Sequence, residues 1–205
     1  MSIVPWSDRK VSELATRGWT VLHDFLPRDV IGQLREEARE GVARDKFREA
    51  GVGRGADHEV ENAIRGDRIL WIDPSDATPA QHVYWKAIEE LQNDLNRELF
   101  LSLVSFESQF AVYGAGAFYK THVDRFETAD ERMISCTLYL NDGWRAEDGG
   151  ALRLHVEGGP IDVLPDAGTM VVFRSDSVPH EVLSSNRERY SLTGWFRRRS
   201  LRVVD

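Results

Sequence analysis

The sequence predicts an α+β fold, a double-sheet β-barrel in the C-terminal half with N-terminal helices packed on one face. Three observations predict it. Residues 1–100 place apolar side chains mostly at helical spacing, a Gly-rich charged segment at 48–66 interrupts them, and residues 101–205 form short β-rich runs between turn residues. A chain of 205 residues suits one domain with a sizeable core.

Ser7 caps a short helix through Val11, Leu14 and Ala15 that ends towards Gly18. Trp19 to Leu22 reads as a strand. Pro27 opens a second helix with Val30, Ile31, Leu34, Ala38 and Val42 on one face. Residues 48–66 mix Gly51, Gly53, Gly55 and Gly66 with charged residues, which predicts a mobile loop with little to pack. Arg68 to Ile72 resumes as a strand. A third helix from about Pro79 to Phe100 carries Trp85, Ile88, Leu91, Leu95 and Leu99 at steps of three and four, the pattern of core packing.

The second half holds strand-like runs at Phe110 to Tyr113, Ile134 to Leu140, Ala151 to His155, Thr169 to Phe173 and Tyr190 to Phe196. Turn residues separate them, including Asn141-Asp142-Gly143, Asp148-Gly149-Gly150, Gly158-Gly159-Pro160 and Asp166-Ala167-Gly168. Many short strands with frequent turns predict a sandwich or barrel.

Composition narrows the function. Hydrophobic residues at 41% and charged residues at 29% are ordinary for a soluble globular protein. A net charge of −8 disfavours nucleic acid as a partner. The basic cluster Arg197-Arg198-Arg199 with Arg202 reads as a solvated strand end. Cys136 is the only cysteine, so no intrachain disulfide forms, and a reducing cytoplasmic setting is expected. Met1 to Lys10 lacks a signal-like apolar region, and no apolar run approaches the ~18 residues of a membrane span.

His122 and Asp124 stand at a strand end, where residues i and i+2 of an extended chain point to one side. His180, in Pro179-His180-Glu181-Val182, supplies a third candidate ligand. Two neutral imidazoles and one carboxylate are the facial triad of non-heme iron(II) oxygenases. Such a triad leaves coordination positions open for a chelating 2-oxo acid and dioxygen, which a closed four-ligand site does not. Arg189 lies on the following strand-like run, where it can pair with a carboxylate in bidentate fashion. His23, His58, His82 and His155 receive no role, and Cys136 reads as a small buried hydrophobe.

From about Ile64 to Phe196 the chain resembles the 2-oxoglutarate-dependent prolyl 4-hydroxylases of the oxygen-sensing type and their bacterial relatives. Four motifs carry the resemblance: Ile64-Arg65-Gly66-Asp67-Arg68-Ile69-Leu70-Trp71-Ile72, Tyr119-Lys120-Thr121-His122-Val123-Asp124, Cys136-Thr137-Leu138-Tyr139-Leu140-Asn141 and Arg189-Tyr190-Ser191-Leu192-Thr193-Gly194-Trp195. Collagen-modifying relatives place lysine where Arg189 stands, so the oxygen-sensing branch is the better match. The first ~60 residues match only in helix-strand-helix order.

The resemblance implies a double-stranded β-helix, the jelly-roll or cupin-like barrel. It implies Fe(2+) held by His122, Asp124 and His180, with 2-oxoglutarate as cosubstrate, O2 as oxidant and ascorbate as an optional reductant. Arg189 would meet the distal carboxylate of 2-oxoglutarate, helped by Tyr139 and Thr193. Tyr113 would contact its metal-chelating carboxylate, with Tyr119 as rival because the run from Tyr113 to His122 is one residue shorter than in the animal enzymes. Trp195, Tyr119, Arg132, Asp67 and Arg65 would line the substrate pocket, with Asp67 and Arg132 as a salt bridge between loop and barrel. The implied substrate is a prolyl residue of a partner protein, an elongation factor being a candidate by analogy, and the loop at 48–66 would fold over an extended peptide. An oxygenase of free amino acids or other small molecules, or a non-catalytic sensor of 2-oxoglutarate or metal, are the alternative functions.

Overall fold

A computed structural model describes residues 6–51, 63–125 and 131–199. Helix α1 (Asp8–Arg17), strand β1 (Trp19–Leu22) and helix α2 (Arg28–Ala43) come first. Strands β2 (Arg48–Glu49) and β3 (Asp67–Ile72) follow, then helix α3 (Pro79–Leu99). The remaining strands are β4 (Leu103–Tyr113), β5 (Tyr119–His122), β6 (Arg132–Tyr139), β7 (Leu152–Val156), β8 (Gly159–Val163), β9 (Met170–Arg174), β10 (His180–Val182) and β11 (Arg189–Arg198).

The strands form two antiparallel sheets. The larger runs β1-β9-β6-β11-β4-β3-β2 and the smaller β5-β10-β7-β8. The larger sheet is buried on both faces, which explains why its strands read as apolar runs rather than clean alternations. Phe110 and Val112 of β4, Cys136 and Leu138 of β6, and Leu192 and Phe196 of β11 join Leu34, Tyr84, Ile88 and Leu91 of the helices in one core. The intervening residues Ala111, Tyr113, Tyr139, Val171 and Phe173 face the smaller sheet and pack with Leu152, Leu154 and Val182. The two-residue period of a strand therefore sorts each strand into a helix-facing row and a barrel-facing row. Arg189, Ser191, Thr193 and Trp195 fall on the barrel-facing row of β11.

The helix ends follow local chemistry. Gly18 closes α1 at φ 80°, a left-handed geometry that costs glycine little. Thr78 caps α3 by accepting a hydrogen bond from the Gln81 amide, and Pro79 fills the first turn, where no amide donor is needed. No helix among the described residues is long and apolar enough to cross a membrane.

Several expectations change. Residues 48–66 are not uniformly a loop: Arg48 and Glu49 pair with Ile69 and Arg68, anchored by buried Phe47 and Ala50 on either side, while residues 52–62 lie outside the described residues. Gly159 and Pro160, expected in a turn, begin β8. Proline is tolerated there because β8 is an edge strand and needs no donor on its open side. Strand β4 starts at Leu103, well before Phe110, because its first half carries polar residues that mask the apolar pattern.

Candidate active site

The register of the smaller sheet brings the metal candidates together. His180 opens β10 and pairs directly with His122 at the end of β5. The chain leaves β5 after His122, so Asp124 enters from a bend rather than from the strand continuation that the sequence suggested. An Arg125 amide hydrogen bond to the Ser175 carbonyl holds that bend at 3.0 Å. One ligand atom from each of His122, Asp124 and His180 lies within 4.8 Å of the others, a set that could hold a metal ion.

Each histidine is fixed for coordination. His122 Nδ1 lies 2.8 Å from the Lys120 carbonyl and His180 Nδ1 lies 3.1 Å from the Val178 carbonyl. A carbonyl only accepts, so both rings donate from Nδ1 and turn the lone pair of Nε2 inward. The Nε2 atoms reach Asp124 at 3.5 and 3.7 Å. Burial lowers the His180 pKa to about 4, so it is a neutral ligand at physiological pH. Burial alone would raise Asp124, but His180, His122 and the Ser135 hydroxyl hold it well below the ordinary carboxylate range. Ser135 donates to Asp124 Oδ2 at 2.6 Å and meets Ser175 at 2.8 Å. Neither serine was singled out from the sequence, because an inward hydroxyl in a strand leaves no periodic signal.

A cavity of about 470 Å³ opens over this cluster, within the range of small-molecule sites. Arg189 lies in its wall and is 1% exposed. Its Nε donates to the Gly150 carbonyl at 2.9 Å, but Nη2 is buried without a partner. Among the described residues no carboxylate pairs with it. A buried guanidinium in that state calls for an anion. Arg189 lies opposite Tyr113 in the sheet, and its guanidinium carbon is 5.1 Å from the Tyr113 ring and 5.0 Å from the Tyr139 ring. Burial raises both phenol pKa values, Tyr139 to about 12, so both remain O–H donors. Tyr139 Oη has no partner, nor does the hydroxyl of Ser191, its cross-strand neighbour. Tyr139 is not part of the cavity wall, whereas Tyr113, Tyr119 and Thr193 are. These unpartnered groups fit the distal carboxylate of a 2-oxo diacid.

Tyr119 stacks on His122 with ring centroids 3.7 Å apart, and Arg65 lies over its other face at 4.3 Å. Tyr113 is thus beside the cation and Tyr119 beside the metal ligands.

The expected Asp67–Arg132 salt bridge is not formed. Asp67 instead takes a bidentate pair from Arg65 at 2.7 and 2.8 Å, and Arg132 pairs with Glu107 at 2.7 Å. Sheet register gives the reason. Asp67 lies opposite Tyr113 at the deep end of β4, whereas Arg132 is paired with Arg197 at the far end of β11, near Glu107. Arg132 also covers the Trp195 ring at 3.7 Å. Arg197 is likewise not a freely solvated strand end: it bonds Glu107 and Glu131 at the cavity rim. Arg202 lies outside the described residues.

A double-sheet barrel that carries a buried cation and a two-histidine, one-carboxylate cluster in one cavity matches the 2OG-Fe(II) oxygenase superfamily, and the chain belongs to that superfamily, whose family model matches residues 108–197. It is similar to a crystal structure of a Pseudomonas putida prolyl-4-hydroxylase, with 47% identity, a TM-score of 0.83, and coverage of 94% of this chain and 98% of that one. It also resembles a Trichoplax adhaerens prolyl hydroxylase solved with a hypoxia inducible factor peptide, at 26% identity and TM-score 0.83, covering 92% of this chain and 87% of that one. Among curated proteins it is 30% identical to the hypoxia-inducible factor prolyl hydroxylase of Caenorhabditis elegans over 96% of this chain. The chain spans only 29% of that protein's length.

Proposed function

We propose that this protein is a peptidyl-prolyl 4-hydroxylase that uses iron(II), 2-oxoglutarate and dioxygen, with residues 1–205 working as one oxygenase domain. The observation that carries the reading is the buried Arg189, its Nη2 without a partner, in the wall of the same cavity that His122, Asp124 and His180 line. The likeness to a Pseudomonas prolyl-4-hydroxylase across nearly its whole length supports the prolyl substrate.

In this reading His122, Asp124 and His180 hold the metal. Bound iron with 2-oxoglutarate supplies decarboxylation to succinate and carbon dioxide, coupled to hydroxylation of a C–H bond. Arg189 binds the distal carboxylate, and Tyr139 and Ser191 bring their unpartnered hydroxyls to the same end after small side-chain turns. Tyr113 stays protonated beside Arg189 and donates to the cosubstrate, and Thr193 completes that wall. Phe173, its ring centroid 4.6 Å from that of His180, and Leu152 give the lining an apolar part that would help keep water from the metal. Arg65 and Asp67 fix Tyr119 against His122, while Trp195, braced by Arg132, forms the wall where the prolyl ring enters.

The partner is a protein or peptide bearing an accessible proline, with an elongation factor as the candidate by analogy. Buried, unpaired Cys136 is consistent with action in the reducing cytoplasm. Mass spectrometry of a lysate incubated with the protein, iron(II) and 2-oxoglutarate should reveal a proline gaining one oxygen atom in a defined polypeptide. Gain of oxygen only in free amino acids or other metabolites would replace the peptidyl reading with a small-molecule one.

A further inference from the structure

Two buried polar side chains that line the cavity each hold an atom without a hydrogen-bond partner. Gln109 is 4% exposed and its Oε1 is unpartnered; Trp195 is 7% exposed and its Nε1 is unpartnered. Both line the cavity. Gln109 lies opposite Thr193 on the neighbouring strand, and Trp195 is the next barrel-facing residue beyond Thr193, so the two are diagonal neighbours on one face. The hydroxyls around them are differently placed: Thr137 and Thr193 face each other at 3.5 Å. Leaving both an acceptor and a donor unsatisfied is expensive, and buried groups of this kind are rare in native proteins.

We propose that Gln109 and Trp195 form a specificity site that reads the peptide backbone beside the target proline. The inference rests on the peptidyl-prolyl reading above and deepens it. Gln109 Oε1 accepts an N–H and Trp195 Nε1–H donates to a C=O, each reached by a small turn of a side chain that already lines the cavity. An extended peptide presents that neutral pair along its edge. Proline itself has no N–H, so the donor is a flanking amide, which the proposal places on the residue that follows the proline, and the acceptor is a carbonyl on either side of the prolyl ring. Free proline offers an ammonium and a carboxylate instead and satisfies neither group as a neutral amide would. Trp71, 40% exposed and 6.2 Å from Trp195, extends the same wall to the cavity mouth, where the flanking chain would leave.

The full-length protein with iron(II) and 2-oxoglutarate, held without oxygen, is titrated with a terminally blocked oligoalanine peptide containing one central proline. A second peptide carries an ester oxygen in place of the N–H after proline. With 15N-labelled tryptophan, the Trp195 indole N–H resonance should move downfield as the amide peptide binds. The ester should bind at least tenfold more weakly than the amide. Gln109→Met should weaken the amide peptide by a similar factor and bind amide and ester alike, because the partner of that N–H is gone. Because the ester comparison needs no mutation, it tests the site even where Gln109→Met fails to fold. Equal binding of amide and ester by the native protein, or a Trp195 resonance that the peptide leaves unmoved, overturns the proposal. If the shifts and the tenfold loss appear but admitting oxygen yields no hydroxyproline, the recognition site stands and the hydroxylase reading falls.

Discussion

At Asp124 the carboxylate accepts a 2.6 Å hydrogen bond from Ser135, which is itself tied to Ser175 at 2.8 Å. In the proposed metal site the position of Asp124 would thus rest on a hydroxyl that is not itself a ligand. Ser135→Ala should weaken iron(II) binding about 10- to 100-fold, the usual cost of losing an outer partner of a ligand, while the far-ultraviolet circular dichroism stays native. Unchanged affinity by equilibrium dialysis would show that Asp124 is held by its bend alone. That His122, Asp124, His180 and Arg189 come together in one cavity was legible in the sequence because their residue types are chemically unusual in strand context and the family motifs surround them. Ser135, Ser175 and Gln109 were not, since a polar residue facing into a barrel resembles one facing solvent until the sheet register is known. The Asp67–Arg132 pairing failed for a related reason. Sequence position alone does not say which end of a strand a side chain occupies, and Arg65, two residues from Asp67, is nearer than Arg132.

At the scale of elements, β11 carries buried Arg189, the cavity-lining Thr193 and Trp195 and the contact with β4 in one span. Gly194 permits this. A Cβ there would meet Phe106 Cζ at 2.4 Å and the Glu107 carbonyl at 2.5 Å, so the close approach of β11 and β4 needs a residue without a side chain. Gly194→Ala should therefore lower stability by about 1–3 kcal/mol through overpacking, measured by urea denaturation. It should also displace the neighbouring Trp195, read as a changed tryptophan emission in the folded protein. A variant as stable as the native chain would mean that the strands separate at little cost. All three helices were legible because their apolar faces recur over several turns. Strands β5 and β10 are four and three residues long, too short to show a period, although they hold His122 and His180.

Across the whole molecule, the helical layer is fastened to the edge of the larger sheet partly through Glu13 of α1. Its carboxylate accepts a 2.6 Å hydrogen bond from Thr20 of β1 and pairs with Lys10, Arg9 and Arg17. The Thr20 hydrogen bond is the largest favourable cause that lowers its pKa from 4.5 to about 2. A depressed carboxylate pKa stabilises the fold above the unfolded value and loses that contribution as pH falls through the folded one. Glu13→Gln should consequently be less stable than the native chain at pH 7, with the gap closing between about pH 4.5 and 2. A gap independent of pH in paired thermal melts would remove Glu13's charge from the account. The central claim concerns the site beneath these layers: one barrel holds iron(II) through His122, Asp124 and His180 and 2-oxoglutarate through Arg189. The most direct measurement is an anaerobic titration that follows the visible charge-transfer absorption of a 2-oxo acid chelated to iron(II). The native chain should develop that band with one iron per chain, His180→Ala should not develop it, and Arg189→Ala should need far more 2-oxoglutarate, a loss of about 2–5 kcal/mol for a buried charge pair. A native-strength band in His180→Ala at the same iron and 2-oxoglutarate concentrations would contradict the account.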